Sequence, residues 1–476
     1  MKLHRVMATD LQPQGVIKMM FIRARKAITW ALAVLLMNYW VVLAQDDRNH
    51  PPANTAANVA TNKAVKPDRA PSVSLVELIE LALAENPEIK AMQRNFDMMQ
   101  ARIPQAKALP DPMLEYGYAG NLFPVPPFDI QKGDPSSARM LSFSQEIPFP
   151  GKRSLQGKMA RAEAESEWWN YEQTRLNVVA EVKDAYFEYY FLDKAIDTVN
   201  KNKALLEKFA KISEARYSVG KGIQQDVLKA QVEISKLIDQ LTVLEQRRQT
   251  VVAKINSLLF RDTEWPIGKP EDVKLQPVTQ TLGELKELAL AYYPSLKAQR
   301  RKIDREQYGV ELAEKGKYPD FNVKFGYQNR PGMPDMYGLS VGVTVPLYFG
   351  QKQRPAIAEA AASKAAEQKR IENLATVLLF RVKDRHVAAT TAERLAKLYG
   401  TTIIPQSTLS LESAIAGYEV GSVDFLTLMD NLVTLLNYQL SYYEQVSNVE
   451  RALAQLEPLV GVSLRPSRPS IGGTGK

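Results

Sequence analysis

The stretch from Ser74 to Leu83, SLVELIELAL, returns as TLGELKELAL from Thr281 to Leu290, and an internal repeat of this length constrains the fold more than any other feature. The echo continues in order. Pro87 with Lys90 and Ala91 is matched by Pro294 with Lys297 and Ala298. Pro110-Asp111 and Gly117-Tyr118 return as Pro319-Asp320 and Gly326-Tyr327. Tyr217-Ser218-Val219-Gly220 returns as Tyr418-Glu419-Val420-Gly421. Two copies of one unit lie in one chain, spanning residues 73–264 and 281–464 with a link over 265–280.

Each unit has the same grammar: one helix near 74–107 or 282–316, two short strands, a very long helix, a Gly-containing turn and a returning helix. In the second unit Phe321, Val323, Phe325 and Tyr327 alternate with Asn322, Lys324, Gly326 and Gln328. Tyr337, Leu339, Val341, Val343 and Val345 alternate with Gly338, Ser340, Gly342 and Thr344. That is the apolar-out, polar-in dyad of a membrane β-barrel strand, of the right length. In the first unit Leu114, Tyr116 and Tyr118 alternate with Glu115 and Gly117. Leu141, Phe143 and Ile147 alternate with Ser142, Ser144 and Glu146, although Gln145 interrupts the apolar face. The strands alone also fit a half-buried soluble sheet. Pro110, Pro148, Pro319 and Pro346 punctuate the four helix–strand junctions, since proline lacks an N–H and fixes φ. The loops around 119–138 and 329–336 carry turn residues and read as hairpin tips.

Lys152 to Arg216 contains one glycine and no proline, and as a helix rising 1.5 Å per residue it would be about 100 Å long. The returning helix, Gln224 to Leu259, and the first helix of the unit would each cover about half of that. Two short helices stacked end to end thus match one long one. In the second unit Gly400 and Pro405 are expected to kink the long helix. Ala230, Ile234, Leu237, Leu241, Leu244, Val251, Ile255 and Leu258 recur at three- and four-residue steps, a coiled-coil seam interrupted by Arg248. Such a hairpin has no compact core, so lateral assembly is its remedy. Four strands cannot close a barrel, and hydrocarbon tolerates no open edge. Several copies must pool their strands. Three copies would give twelve strands around a lumen, and four copies remain open on geometry alone.

The ends of the chain carry no chemistry. Arg23, Arg25 and Lys26 precede an apolar run from Ala27 to Ala44, as in a secretory signal peptide over residues 1–44. An uncleaved membrane anchor is the alternative. Residues 45–72 read as a flexible linker and 465–476 as a disordered tail. Residues 1–26 supply +5 of the formal charge of +8, so the rest offers no basic block for nucleic acid. There is no cysteine, which excludes disulfides and a lipidated N-terminus. Three histidines, His4, His50 and His386, form no metal cluster. Met98, Met99 and Met113 read as packing rather than copper ligands. Gly151-Lys152 resembles the end of a phosphate-binding loop, but the early glycine is missing and Arg153 stands where Ser or Thr belongs. Trp168, Trp169 and the run Tyr186 to Phe191 read as inter-helix packing. No Ser–His–Asp set or carboxylate pair points to an enzyme, and no cofactor is implied.

The duplicated unit, the stretch Gln145 to Lys152 (QEIPFPGK) and the paired Tyr-x-Val-Gly turns resemble the TolC family of outer-membrane efflux ducts over residues 73–464. The Gln145–Lys152 stretch is most similar to the branch serving heavy-metal exporters of the resistance-nodulation-division (RND) type. The resemblance implies a mainly α chain with a membrane β-barrel: a homotrimer with a twelve-stranded barrel in the outer membrane, continuous with a helical barrel in the periplasm. It implies a periplasmic adaptor and an inner-membrane pump as partners, and passive exit of metal cations or drugs. A type I protein secretion duct is the alternative within the family, and a soluble periplasmic coiled-coil scaffold the alternative outside it. The adaptor of the same pump would show a lipoyl-like β segment and no paired membrane strands. By resemblance, Tyr217, Val219, Gly220, Tyr418, Val420 and Gly421 form the adaptor-docking tips, and Asp226 and Asp424 line the entrance gate, where rings of carboxylates attract cations. Both aspartates are equally readable as helix N-caps. Some members carry an arginine soon after the second tip glycine; Ser422-Val423 stands there instead.

Overall fold

The computed structural model describes residues 73–119 and 137–465. The expected signal peptide, linker, most of the first hairpin loop and the tail beyond Arg465 lie outside the described residues.

The helix expected over 74–107 is two helices, α1 (Leu75–Glu85) and α2 (Pro87–Lys107). Proline at the first helical position explains the break, because its fixed φ begins a helix but its ring disfavours helical conformation in the residue before it. Asn86 fills the gap. Its side-chain oxygen accepts from the N–H of Glu88 at 2.9 Å and of Ile89 at 3.3 Å, and its amide donates to the Leu258 carbonyl at 2.9 Å. Strands β1 (Met113–Ala119) and β2 (Ala138–Ile147) follow, then α3 (Lys152–Ser218, 67 residues) and the returning helix α4 (Gln224–Leu258, 35 residues). The Asn86 bond therefore fastens the upper short helix to the end of the returning one, and both lie along α3.

The second unit repeats this. Helices α5 (Leu282–Tyr292) and α6 (Pro294–Lys315) break before Pro294, correcting the single helix expected over 282–316. Strands β3 (Asp320–Asn329) and β4 (Met336–Thr344) precede α7 (Arg354–Leu398), α8 (Ile404–Val420) and the returning helix α9 (Phe425–Val460). Between α7 and α8 the chain runs as a π-helical segment, Tyr399–Ile403. The irregularity expected from Gly400 and Pro405 is thus one widened turn, and a Cβ on Gly400 would lie 2.9 Å from the Tyr442 ring.

The cores are stripes, not balls. Along α4 the predicted seam is buried or half-buried throughout, and its buried residues share one apolar cluster with Val178, Val182, Ala185, Tyr186, Phe187, Tyr189 and Leu192 of α3. A second stripe joins Leu285, Ala289 and Leu296 to Leu378, Val382, Val449, Leu453 and Leu456. Polar ties hold the units side by side: Arg451 donates to Asp184 at 2.9 Å, Gln455 donates to the same carboxylate at 3.0 Å, and Lys183 pairs with Glu457.

The four strands make one antiparallel sheet in chain order β1-β2-β3-β4. Met113 faces Ser144, Ser144 faces Lys324 and Lys324 faces Ser340 across it, which fixes both faces. One face presents Leu114, Tyr116, Leu141, Phe143, Phe325, Tyr337, Leu339, Val341 and Val343, all exposed. The other presents Glu115, Ser142, Ser144, Asn322, Lys324, Gly326, Ser340 and Thr344. Gln145, the interruption in the apolar face, turns its amide to the carbonyls of Pro110 at 2.7 Å and Glu146 at 2.9 Å. Its polarity serves the junction.

The QEIPFPGK stretch is that junction. The Lys152 ammonium lies 2.8 Å from both oxygens of Asp320 and donates to the Tyr318 carbonyl at 3.2 Å. The Phe149 N–H donates to the same carboxylate at 2.7 Å. The Phe149 and Tyr318 rings stack 4.5 Å apart. The first unit's strand-to-helix corner is thereby clasped to the entry of β3 in the second. Gly151 makes the corner at φ 95°, a conformation that penalises any other residue.

Candidate functional site

Each long helix ends in a turn. After α3 the Gly220 N–H donates to the Tyr217 carbonyl at 3.0 Å and Lys221 N–H to Arg216 at 2.8 Å. After α8 the Gly421 N–H donates to Tyr418 at 3.2 Å and Ser422 N–H to Gly417 at 2.9 Å. These are Schellman closures, which need a left-handed residue. Gly220 and Gly421 supply it at φ 73° and 80°, and a Cβ on either would meet nothing. The glycines are there for conformation, not for room.

The two predicted tip tyrosines part company. Tyr217 is 47% exposed, whereas Tyr418 is 6% exposed. The Tyr418 hydroxyl lies 3.2 Å from the buried Ser213 hydroxyl, and its ring packs near Phe425 at 5.7 Å. Arg216 sits over that ring at 4.5 Å and donates to the Tyr418 carbonyl at 2.9 Å. Ser213 and Arg216 belong to the first unit and Tyr418 to the second, so these three residues join the two tips. Sequence reasoning missed Ser213 and Arg216. A basic residue in the last turn of α3 was the only visible signal, and its partner lies 202 residues away. Val219 and Val420, by contrast, project into solvent at 67% and 80% exposure. They leave an apolar knob on each turn.

The two gate candidates occupy different positions in their helices. Asp424 is the N-cap of α9: its carboxylate accepts from the Thr427 N–H at 2.7 Å. That bond holds its pKa below the ordinary carboxylate value. Asp226 lies inside the first turn of α4, whose N-cap is Ile223, which offers no side-chain bond. Its pKa is raised, first by burial and then by the neighbouring Asp424 charge, with Arg216 opposing both. The cap reading therefore holds for Asp424 and fails for Asp226. Asp226, Asp424 and Arg216 nonetheless share one electrostatic neighbourhood where the two tips meet.

The polar face of the sheet also carries paired charge. Lys324 lies 3.2 Å from Glu115, which accepts from Ser142 at 3.2 Å. Among the described residues no group of three or more His, Cys, Asp and Glu side chains is arranged to hold a metal ion, and no helix is long and apolar enough to cross a membrane.

The family described as outer membrane efflux protein matches residues 78–259 and 285–462. The cobalt-zinc-cadmium resistance protein CzcC of Cupriavidus metallidurans is 22% identical over 407 residues, covering 83% of this chain and 91% of its own length. Among solved structures, the outer membrane protein VceC of Vibrio cholerae superposes with a TM-score of 0.70 at 18% identity, covering 82% of this chain and 97% of that one. The Campylobacter jejuni CmeC outer membrane channel gives 0.69 at 13% identity, covering 87% and 93%. At these identities the structural likenesses establish the fold.

Proposed function

This chain belongs to the outer membrane efflux protein family, and from that membership we propose that it is one subunit of a homotrimeric exit duct in a tripartite efflux system. It sits in the outer membrane of a Gram-negative bacterium and reaches into the periplasm. The single observation that carries this reading is the two-faced sheet: four strands, apolar on one side and polar on the other, with β1 and β4 left as open edges. Edges of that kind are untenable in hydrocarbon unless other copies complete the ring. Three copies give twelve strands and leave a water-filled lumen. Exposed Leu228, Val232, Ile238 and Val243 on α4, and Phe380 and Val387 on α7, supply apolar surface for the same lateral assembly.

The tips are the working end. Val219 and Val420 offer small apolar knobs beside glycine turns, a surface suited to the helical hairpins of a periplasmic adaptor. Asp226 and Asp424, three copies of each, form the carboxylate lining of the entrance and favour cations there. The tie through Ser213, Arg216 and Tyr418 holds the tips together until the adaptor and an inner-membrane pump of RND type engage. The duct itself is passive, since selection belongs to the pump. Metal cations are the favoured cargo. The Gln145–Lys152 junction and the likeness to a cobalt-zinc-cadmium resistance protein both support that choice.

Deleting the gene in its host and titrating cobalt, zinc, cadmium, silver and dyes tests the proposal. Greater sensitivity to at least one metal, restored by the gene in trans, is expected. Unchanged tolerance in a strain stripped of paralogues overturns it.

A further inference from the structure

The polar face of the sheet, which lines the lumen if the duct reading holds, carries a residue type that a water-filled channel does not require. Along the described strands every side chain of that face is Gly, Ala, Ser, Thr, Asn, Gln, Asp, Glu or Lys, with three exceptions: Met113, Met140 and Met336. Sequence reasoning assigned Met113 to packing. It is instead 60% exposed, and Met336 is 47% exposed. Neither fills a core.

Their placement follows the register. Met140 stands opposite Gly117 on one side and Gln328 on the other, and Gln328 stands opposite Met336. Gly117 leaves the space that Met140 uses: a Cβ there would lie 3.5 Å from the Met140 methyl. Met140 and Met336 are thus two strands apart at one level, roughly 10 Å between backbones, with the Met140 thioether leaning over Gly117 towards β1. Met113 lies four residues further along β1 towards the helices, about 13 Å away along the strand. Between the two levels, Glu115 is neutralised by Lys324 at 3.2 Å. The thioethers therefore do not compete with an unpaired carboxylate there.

We propose that Met113, Met140 and Met336 form a two-level thioether path for soft monovalent cations, silver(I) or copper(I), through the barrel. Thioether sulfur is polarizable and prefers such ions over the harder divalent metals. Contact through one thioether at a time is weak, as transit demands: an ion must reach each sulfur and leave it again. The proposal rests on the duct reading for its geometry and deepens it by naming a cargo class.

The whole protein in detergent, labelled with carbon-13 at its methionine methyls, tests the site directly. The chain has no cysteine, so thiols cannot take the metal. Silver nitrate is titrated, with Met113→Leu, Met140→Leu and Met336→Leu assigning the signals; these swaps keep side-chain volume. The three methyls are expected to shift at silver concentrations about tenfold below those that move the helix methionines, and zinc is expected to leave them in place. Shifts spread evenly over all methionines, or none at these three, overturn the proposal. In planar bilayers the triple Leu variant should conduct potassium normally and need about tenfold more silver for half-block. Potassium conductance with unmoved methyls sinks the thioether path alone. Shifted methyls without any conductance sink the duct reading and leave the site standing.

Discussion

Replacing Arg216 by alanine removes the side chain that ties the tip of the first unit to that of the second. Two contacts go: a charge-assisted hydrogen bond to the Tyr418 carbonyl at 2.9 Å and a cation–π contact with its ring at 4.5 Å. Buried, a charged hydrogen bond contributes about 1.5–3 kcal/mol, and a cation–π contact at an exposed site about 0.5–1 kcal/mol. Arg216 is only half-buried, so solvent screening reduces the pair to roughly 1–2 kcal/mol. The loss also removes the cation that opposes the Asp226 charge, which leaves its repulsion from Asp424 across the tips unrelieved. Since 1.4 kcal/mol is a factor of ten in an equilibrium, the population with separated tips should rise about tenfold per subunit. The assay is single-channel recording of the purified protein, with Arg216→Lys as control. Lysine keeps the charge but loses the planar stack, so an intermediate effect is expected. An open probability for Arg216→Ala within twofold of the parent, with unchanged helicity and assembly, refutes the reasoning and leaves Arg216 as a helix C-terminal cap.

Other consequences are as specific. Asp226 has a raised pKa where the tips meet, so it binds a proton more readily with the tips together than apart. Acidification from neutrality into the upper carboxylate range therefore stabilises closed tips and lowers conductance, and the effect is lost as pH rises through the Asp226 pKa. Asp226→Asn should flatten that slope in bilayer recordings. Asp424 works with the opposite sign, its stabilising bond to the Thr427 N–H being lost only below the ordinary carboxylate range. Replacing both aspartates by alanine should weaken block by trivalent cations at the entrance. Unchanged block leaves them outside the gate. Asp320→Ala strands the Lys152 ammonium and the Phe149 N–H, a loss of roughly 2–3 kcal/mol in urea unfolding, and Asp320→Asn should lose less because it keeps an acceptor. Gly461 ends α9 at φ 70°, and a Cβ there would lie 2.6 Å from the Tyr292 carbonyl. Gly461→Ala should cost roughly 2–4 kcal/mol, read as a lowered unfolding midpoint.

Much of the architecture was legible because it rests on local rules applied twice. The duplication set the topology, the period of two placed the strand faces, and the three-and-four spacing along α4 picked out residues that the structure buries. Pro87 and Pro294 were legible as punctuation, but their consequence was underread. Each begins a new helix opposite the end of a returning one, at Leu258 and Gly461, and only the three-dimensional arrangement shows that the breaks serve end-to-end stacking. The tips were the reverse case. Their glycines were plain in sequence, whereas the Ser213–Arg216–Tyr418 tie depends on a contact across the repeat that no spacing reveals. Asp226 and Asp424 looked alike beside their turns; helix phase separates them into a first-turn residue and an N-cap. Met113 was misassigned because a methionine beside a strand is usually packing, and only the register put it on the polar face.

The account turns on incomplete sheets that become a wall only in company. Native mass spectrometry of the full chain, extracted from membranes in mild detergent, measures this directly. The predicted result is a single species with three times the mass of the mature chain, unchanged on dilution. A dominant one-chain species under the same conditions contradicts it, because four strands alone cannot line a channel.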